Sequence, residues 1–333
     1  MKLFTEDGRF LKGNLHAHTT ISDGRVSASE SIRRYREAGY DFLAITDHRK
    51  RFGGYIETSE GRILCASEAQ DRVLADGDTV EEALFGQEDY RFLVIPSTEF
   101  DRNFIKEAPE HAYHITGVGL KRFIPQTNEW TPQQIVDAIH EEGGFATLAH
   151  PIWSLMTFEE CLALQNYDAT EIYNTVSEVY SGRGFSDLYV DMMASRGRYV
   201  LLTAVDDTHY YDRDPFGGYV MVQAQKNNWP SIHQALLEGR FYSSQGPRIE
   251  QIEKTGGDGS GDPMTVSVRM SPVVSIRFMT NALYNGHRTA YPALGEKYLT
   301  EASYTLTDSE RFVRIEGRDE DGRVCWSNLI VKE

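Results

Sequence analysis

Cysteine is scarce in this sequence of 333 residues, which has only three cysteines. Cys65, Cys161 and Cys325 lie far apart along the chain and are odd in number. A disulfide framework or a thiolate metal site needs more cysteines at closer spacing, so neither is expected. The first ten residues are charged and have no long apolar stretch, so we expect no signal peptide and a reduced, cytoplasmic location.

Positive charge and long apolar runs are also in short supply. The chain has 34 Lys and Arg against 50 Asp and Glu, a formal net charge of −16. This field repels polyanions, so duplex nucleic acid is not an expected partner, whereas a small anionic substrate held by bound cations is compatible with it. Apolar runs such as 42–46 are too short to span a bilayer, so no membrane association is expected. The oligomeric state is left open.

Over its first two-thirds the sequence alternates short apolar runs with helix-period segments. The helical segments include 27–38, 131–143 and 186–195, and the apolar runs favour strands covered on both faces. This alternation predicts an α/β fold in which a parallel sheet, open or closed into a barrel, carries helices outside. The expected strands, about seven in all, are 13–15, 42–46, 92–96, 113–118, 145–149, 169–173 and 199–205.

Two regions depart from this alternation. The stretch from about 51 to 90 is too long for an ordinary loop, and we expect a surface insertion with a short helix over 79–85. Beyond residue 247 the chain has glycine-rich turns and alternating polar and apolar residues, and 321–322 (DG) separates two strand-like runs as in a hairpin. The sequence therefore predicts an α/β domain over 1–247 and a small antiparallel β-sandwich over 248–333.

Histidines and carboxylates follow the predicted strands at the point where each strand ends. Asp23, Glu99 and Asp207 lie at these ends together with six of the ten histidines. Because active-site groups converge at the C-terminal edge of a parallel α/β barrel, we expect these side chains to be neighbours in space. The six histidines are His16, His18, His48, His114, His150 and His209.

This set of donors predicts a metal centre. Nitrogen and oxygen ligands without thiolate suit Zn, Mn or Fe. Six imidazoles and three carboxylates exceed what one ion can use, so two or three divalent ions are expected, with Glu99 able to bridge a pair. Two such ions can activate water and stabilise the attacking and leaving oxygens of a displacement, which favours hydrolysis over redox chemistry.

Several short segments between residues 12 and 210 resemble the motifs of a known family. They are 14–19 (NLHAHT) with 22–24 (SDG), 45–48 (ITDH), Glu99, 149–151 (AHP) and 206–209 (DDTH). Together they are similar to the four motifs of the PHP (polymerase and histidinol phosphatase) superfamily. Segments 171–174 and 239–247 are similar to stand-alone members with a C-terminal β domain. The resemblance implies a distorted seven-stranded, TIM-like (β/α)7 barrel, a di- or trinuclear metal centre and phosphoester hydrolysis, with carbamate-ester hydrolysis in some relatives.

Carried onto the matching positions, the resemblance implies three metal sites with a bridging hydroxide as the nucleophile. The first would use His16, His18, Glu99 and Asp207. The second would share Glu99 and add His114 and His150, and the third would use Asp23, His48 and His209. His114 is preferred to the nearby His111 because the strand-like segment 115–119 continues from it.

Charged neighbours of these residues are given supporting roles. Asp47 and Asp206 are expected to orient an imidazole through its other N–H rather than to bind metal. Arg49, which follows His48, and Arg183, in a glycine-flanked loop, are candidates for gripping a phosphate; the alternative for each is a solvated surface cation. With Glu99 and Asp207, these arginines complete the expected catalytic set.

The predicted function is a metal-dependent phosphoesterase that acts on a small phosphorylated metabolite or nucleotide. An alternative with the same metal centre is a carbamate or carboxylic ester hydrolase, which would depend less on Arg49 and Arg183. An alternative of another class is a metal-stabilised binding module without catalysis, although none of the expected ligands is missing from the sequence.

Overall fold

The computed structural model describes residues 2–4, 8–48, 55–57, 63–65, 80–105, 108–124, 130–257, 259, 261–283 and 287–332. At 55–57, 63–65, 80–82, 102–105 and 108–111 only the backbone is described. Most of the predicted insertion over 51–90 lies outside these residues.

The described chain alternates helices and strands up to about residue 240 and then consists of strands. The helices are α1 (Ala28–Glu37), α2 (Val80–Phe85), α3 (Pro132–Glu141), α4 (Phe158–Ala163), α5 (Thr175–Ser181), α6 (Asp187–Ser195) and α7 (Trp229–Leu237). The first strands are β1 (Arg9–Asn14), β2 (Phe42–Ile45), β3 (Tyr55–Glu57), β4 (Ile63–Cys65), β5 (Leu93–Ile105), β6 (Ala108–Val118), β7 (Phe145–Leu148), β8 (Ala169–Asn174), β9 (Leu201–Val205), β10 (Tyr219–Ala224) and β11 (Phe241–Ser244). The later strands are β12 (Ile249–Thr255), β13 (Thr265–Val273), β14 (Ser275–Met279), β15 (Thr289–Ala290), β16 (Leu299–Thr305), β17 (Phe312–Arg318), β18 (Val324–Ser327) and β19 (Ile330–Val331).

The expected elements are present, and most have close to the expected limits, but β1, β5 and β6 are longer than predicted. The seven predicted strands are β1, β2, β5, β6, β7, β8 and β9, and the predicted helices are α1, α2, α3 and α6. The local signals act as anticipated: the Ser27 side chain accepts from the backbone N–H of Glu30 at the start of α1, and Gly39 follows its end with a φ of 78°. Thr131 and Gln134 form a capping box at the start of α3.

The large sheet is mixed, whereas the sequence predicted a parallel one. Its first half runs in the order β10-β1-β2-β5-β6-β7-β8-β9. Strands β1, β2 and β5 pair in parallel, as do β7, β8 and β9, but β6 is antiparallel to both of its neighbours. The reason is that β5 and β6 are longer than their apolar runs and are separated only by residues 106–107. So short a connection makes a hairpin, because a parallel pair needs a crossover of a dozen residues or more.

The described strands do not close into the expected barrel, since no ladder joins β9 to β10. Side chains instead satisfy the backbone of β9. The Ser243 hydroxyl accepts from Ala204 N at 2.8 Å and donates to Leu202 O at 2.7 Å, and Asn328 Oδ1 accepts from Leu202 N at 2.8 Å. Beyond the strand ends, Asp207 N donates to His16 O and His18 N donates to Thr208 O, both at 2.9 Å. These bonds draw the ends of β1 and β9 together.

The C-terminal region is antiparallel throughout, as predicted. The large sheet continues through β11, β18, β17, β14 and β15, and a second sheet has the order β12-β13-β16. Apolar side chains such as Val268, Phe278 and Ile315 form a core of their own here. Strands β17 and β18 form the predicted hairpin, with Gly322 at a φ of 84° in its turn. The proposed limits of 1–247 and 248–333 stay a prediction, and the β11–β18 ladder crosses between them.

Helices cover one face of the first half of the sheet. Helix α1 packs on β2, α3 on β6 and β7, α6 on β8 and α7 on β10. The histidines and carboxylates singled out in the sequence lie at the edge of the sheet where the parallel strands end. Within the described residues, none of the helices has both the length and the apolar character needed to cross a bilayer.

Candidate metal centre

The structure brings all nine predicted metal ligands together at this edge. His16 and His18 follow β1, His48 follows β2, His150 follows β7, and Asp207 and His209 follow β9. Glu99 and His114 differ from the expectation, since they lie inside the long strands β5 and β6 rather than after strand ends. Because those strands form a hairpin, the two side chains still meet, with His114 Nδ1 at 2.7 Å from Glu99 Oε1.

Four of the side chains form a compact buried group: His16, His18, Glu99 and Asp207. His16 Nε2 lies 3.1 Å from His18 Nε2, 3.2 Å from Glu99 Oε2 and 3.1 Å from Asp207 Oδ1. His18 Nε2 lies 3.1 Å from each of the same two oxygens. A tetrahedral ion with bonds of about 2 Å holds its ligands roughly 3.3 Å apart, so these donors are spaced for one cation.

Unpartnered buried atoms support the same interpretation. Asp207 Oδ1 and His48 Nδ1 are buried and have no hydrogen-bond partner of suitable geometry. A buried carboxylate oxygen without a partner is costly, since it has lost its water. A bound cation would satisfy it, so the donor set fits a metal.

Two further groups adjoin the first. Glu99 turns its other oxygen, Oε1, toward His114 and toward His150, whose Nε2 lies at 3.4 Å. Asp23 Oδ1 lies 3.5 Å from His209 Nε2 and 3.7 Å from both His48 Nε2 and His18 Nδ1. The Asp23 side chain is 56% exposed, so the third group lies on the open side of the centre.

The electrostatics show a centre that attracts positive charge. Burial alone would lower the pKa of His18, but Asp207 and Glu99 outweigh it and raise that pKa to about 10. Burial would raise the pKa of Glu99, but the surrounding imidazoles, that of His48 foremost, hold it well below its usual value. Burial lowers the pKa of His48 itself to about 4. Since metal ligands must be deprotonated, ions binding here would displace protons from the buried imidazoles.

Glu171 is a site residue that sequence reasoning did not find. Its Oε1 lies 2.7 Å from His16 Nδ1, and its Oε2 accepts from His150 N at 2.9 Å and from Asn174 Nδ2 at 2.8 Å. An ionised carboxylate only accepts, so His16 carries a proton on Nδ1 and presents Nε2 to the other donors. The available signal was a glutamate inside β8, a strand whose six residues are all buried.

Asp47 and Asp206 do not contact an imidazole, which corrects the expectation for both. Asp47 accepts from Thr19 N, Thr19 Oγ1 and Ser22 Oγ at 2.6–2.7 Å, and so fixes the turn that follows His18. Asp206 accepts from the Tyr35 hydroxyl at 2.7 Å and from the backbone N–H groups of 216–218 at 2.8–2.9 Å. Both carboxylates are instead occupied by backbone N–H and hydroxyl donors.

Two residues of the centre adopt unusual backbone conformations. Asp207 has a φ of 53° and His150 a φ of 25°, in the left-handed region that non-glycine residues rarely enter. The Asp207 backbone is held by the bond from its N–H to His16 O, and Asp206 N donates to Asn14 Oδ1 at 3.1 Å. Such conformations are typical of sites where the surrounding structure dictates the position of a side chain.

The remaining candidates are not part of this cluster. Arg49 lies outside the described residues, as does the side chain of His111. Arg183 is exposed in the loop after α5 and does not line the cavity over the centre. Its role as a phosphate ligand stays a prediction. His140 lies on α3 and pairs with Asp168 at 2.9 Å, outside the histidine cluster of the centre.

A cavity of about 310 Å³ opens over the centre. No lysine or arginine is among the described residues that line it. Those residues are Asp23, His48, Glu99, His114, His150, Trp153, Val176, Tyr180, Ser181, Asp207, His209 and Tyr210.

Comparison with family models gives no match, and comparison with curated proteins gives none either. Among solved structures, the chain is similar to a two-domain protein of Bacteroides vulgatus that contains a predicted PHP-like metal-dependent phosphoesterase. The identity is 14%, the match covers 98% of this chain and 97% of the other, and the TM-score is 0.49. A candidate metal-dependent phosphoesterase of Bifidobacterium adolescentis is 12% identical, with 68% and 96% covered and a TM-score of 0.41. An amidohydrolase of Chromobacterium violaceum, with bound sulfate and no metal, is 15% identical, with 61% and 89% covered and a TM-score of 0.37.

With identities of 12–15% and TM-scores of 0.49 and lower, the function has to be inferred from the chain's own residues.

Proposed function

We propose that this chain is a metal-dependent hydrolase that cleaves phosphoesters at a centre of two or three divalent ions. The observation that carries the proposal is the group of His16, His18, Glu99 and Asp207. Its donor residues are buried, and the two imidazole nitrogens lie 3.1–3.2 Å from each other and from the two carboxylate oxygens. Asp207 Oδ1 has no hydrogen-bond partner of suitable geometry. Protonated imidazoles neutralise such a group only in part, whereas a cation satisfies all four donors at once.

The ligand sets follow from the three groups. One ion would be held by the first group, and a second by Glu99, His114 and His150. A third would be held by Asp23, His48 and His209. The two oxygens of Glu99 face different groups, which suits a carboxylate shared between two ions. Imidazole and carboxylate ligands are compatible with Zn, Mn or Fe.

Bound divalent ions would supply Lewis acidity and would make water a nucleophile near neutral pH. The protein's own residues orient the ligands and bury the centre. Glu171 orients His16, and the Thr19–Ser22 turn held by Asp47 orients the segment after His18. The first group is buried, while Asp23 and His209 face the cavity, so a substrate would enter on the side of the third group.

The size of the cavity supports a small substrate. A volume of about 310 Å³ is at the lower end for ligand sites and suits a metabolite rather than a polymer.

A second candidate function is hydrolysis of a carbamate or carboxylic ester by the same centre. The observation that favours it is the lack of lysine and arginine among the described lining residues. A phosphate would have its charge balanced by the ions, and by Arg49 if that residue reaches the cavity. A neutral ester has no charge to balance and so needs no lysine or arginine at the cavity.

The test is elemental analysis of the full chain, with hydrolysis of p-nitrophenyl phosphate and bis-p-nitrophenyl phosphate before and after chelation. We expect two or three ions per chain, and turnover that chelation abolishes and added Mn²⁺ or Zn²⁺ restores. Asp207→Ala should lose bound metal and reduce turnover by about 10³-fold, because it removes a ligand of the first group. His140→Ala, which changes a histidine outside the cluster, should keep both.

The outcomes separate the alternatives. Less than one ion per chain, in protein purified with metal supplied, would overturn the multinuclear centre. Bound ions with turnover of p-nitrophenyl acetate but of neither phosphate would favour the second candidate. Bound ions without turnover of any ester would favour a binding module.

A further inference from the structure

Three large aromatic side chains line the cavity and are exposed to solvent. Trp153 comes from the turn after β7, Tyr180 from α5 and Tyr210 from the segment after β9. Their exposed fractions are 42%, 48% and 39%. We refer to them as the aromatic wall. Large aromatic side chains usually gain stability by burial, so three exposed ones around a single cavity mark a binding surface.

The rings of the aromatic wall are held in place by packing against histidines of the centre and against one another. The Trp153 ring packs edge-on against the rings of His150 and His114, with centroids 4.9 and 5.7 Å apart. The rings of Tyr180 and Tyr210 pack edge-on at 4.7 Å. Rings that are already fixed lose little conformational entropy when a ligand stacks on them.

Polar contacts anchor the tyrosines as well. The guanidinium of Arg25 lies over the ring of Tyr210, 4.6 Å from its centroid, and Arg25 N donates to His209 O at 2.8 Å. The hydroxyl of Tyr180 donates to Asp212. The Tyr180 hydroxyl is therefore engaged by Asp212, and the Tyr210 ring is fixed by Arg25, which leaves both tyrosines to present ring surface to the cavity.

We propose that the substrate carries a planar aromatic ring in addition to the ester, and that the aromatic wall binds this ring. The inference rests on the proposed function, since the ester must sit on the metal centre while the ring lies against Trp153, Tyr180 or Tyr210. Aromatic stacking recognises a ring by its face and needs no specific hydrogen bond. A polyol or sugar phosphate would leave this apolar surface uncovered. Apart from the predicted metal ligands, the described lining consists only of the aromatic wall, Val176 and Ser181.

The size of the cavity sets a limit on that ring. A volume of about 310 Å³ holds one ring system together with the reacting group. The ring could be a simple aryl group or a nucleobase, and the shared chemistry is its planar face.

The test uses hydroxamates, which bind divalent centres whatever ester the enzyme cleaves. Dissociation constants of benzohydroxamate and hexanohydroxamate are measured by calorimetry on the metal-loaded full chain, with tryptophan fluorescence as a second readout. The two probes have similar apolar size, but only the first is planar. We expect the planar probe to bind about tenfold more tightly, the effect of stacking one ring.

Variants of the aromatic wall connect this preference to the residues. Trp153→Leu and Tyr210→Leu should each bring the ratio of the two constants close to one, and Trp153→Phe should restore it. Tyr291→Leu removes a ring that is 68% exposed in the C-terminal region and should leave the ratio unchanged. Metal content of each variant reports whether the centre is intact.

Equal affinities in the wild-type protein, or a ratio retained in both leucine variants, would overturn the inference and leave the proposed function standing. Failure of both hydroxamates to bind would overturn the metal centre and the inference with it. A ring preference without phosphate turnover would support the inference together with the second candidate function. Comparing adenosine 5′-phosphate with ribose 5-phosphate, and benzyl with cyclohexylmethyl phosphate, then shows whether the ring is a nucleobase or an aryl group.

Discussion

The two ends of the large sheet both bury charged side chains, but they satisfy them in different ways. In β17, the fully buried Arg314 donates to Glu316 Oε1 at 2.6 Å and to both oxygens of Asp191 on α6 at 2.9–3.1 Å. At the other end, Glu99 and Asp207 face imidazoles whose nitrogens point at the same spot. Asp207 Oδ1 is left without a hydrogen-bond partner.

This difference separates structural charges from functional ones. A buried charge is tolerated when its own neighbours supply every partner, and the Arg314 group meets that condition. The histidine and carboxylate group does not, because its donors converge without an acid–base pairing that uses them all. A missing partner of positive charge is therefore expected at one end of the sheet and not at the other.

The sharpest test of this comparison is Arg314→Ala. Removing the guanidinium leaves the largely buried Asp191 without a countercharge and leaves Glu316 only the partly exposed Arg277, 3.9 Å away. This should lower the free energy of unfolding by about 3 kcal/mol. Urea unfolding measures the loss, and elemental analysis of the folded fraction should show an unchanged metal content. Arg269→Ala, which breaks an exposed pair with Glu250, should change stability by less than about 1 kcal/mol. Loss of bound metal in Arg314→Ala at full stability would break the comparison.

At the metal end, the corresponding change is Glu171→Gln. It removes the carboxylate that holds His16 Nδ1 at 2.7 Å, so the imidazole should be less well oriented toward the first group. We expect metal affinity to fall about 10- to 100-fold, measured by competition with a chelating dye. The metal-free protein should also lose about 1 kcal/mol of stability but stay folded, because the amide turns a donor toward groups that also donate. Glu159→Gln, on the exposed side of α4, is the matched control and should bind metal like the wild type.

The sequence predicted the strands and the ligands of the metal end well, because both signals are local. Apolar runs such as Phe42–Ile45 mark buried strands, and polar residues that break off such a run mark the edge of the sheet. His16, His18, His48, His150 and Asp207 were found in this way, and the structure brings them together. Whether they bind metal stays a prediction.

What the sequence did not predict depends on contacts between distant segments. The β5–β6 hairpin was missed because its outer half is polar, as in Asp101–Asn103, and so has no apolar signature. Glu171 orients His16, which lies 155 positions away in the sequence. Asp206 accepts from the backbone N–H of Gly217, in a loop that folds back onto it. The Arg314 group joins β17 to α6 over 123 positions. Ion pairs between residues so far apart in the sequence give no recognisable spacing pattern.

Glu310 offers the finest test, since it is a buried carboxylate whose partners all come from the protein. It accepts from the hydroxyls of Thr280 and Tyr304 at 2.7–2.9 Å and from Thr307 N at 2.8 Å. Burial would raise its pKa, but these donors outweigh burial and hold the pKa below its usual value. The ionised form therefore stabilises the fold above the unfolded pKa of about 4.3, and this contribution is lost as the pH falls through the lower folded value.

Glu310→Gln should then lower the free energy of unfolding by about 1 kcal/mol at pH 7, because the amide turns a donor toward groups that also donate. The difference from the wild type should shrink as the pH falls below about 4, where the wild-type carboxylate also loses its charge. Urea unfolding at pH 7 and at pH 3.5 measures both values. Glu296→Gln, on an exposed turn, should show no difference at either pH. A deficit in Glu310→Gln that is equally large at both pH values would mean that packing, not the charge, makes this carboxylate stabilising, and the contrast with the metal end would then no longer be one of charge satisfaction.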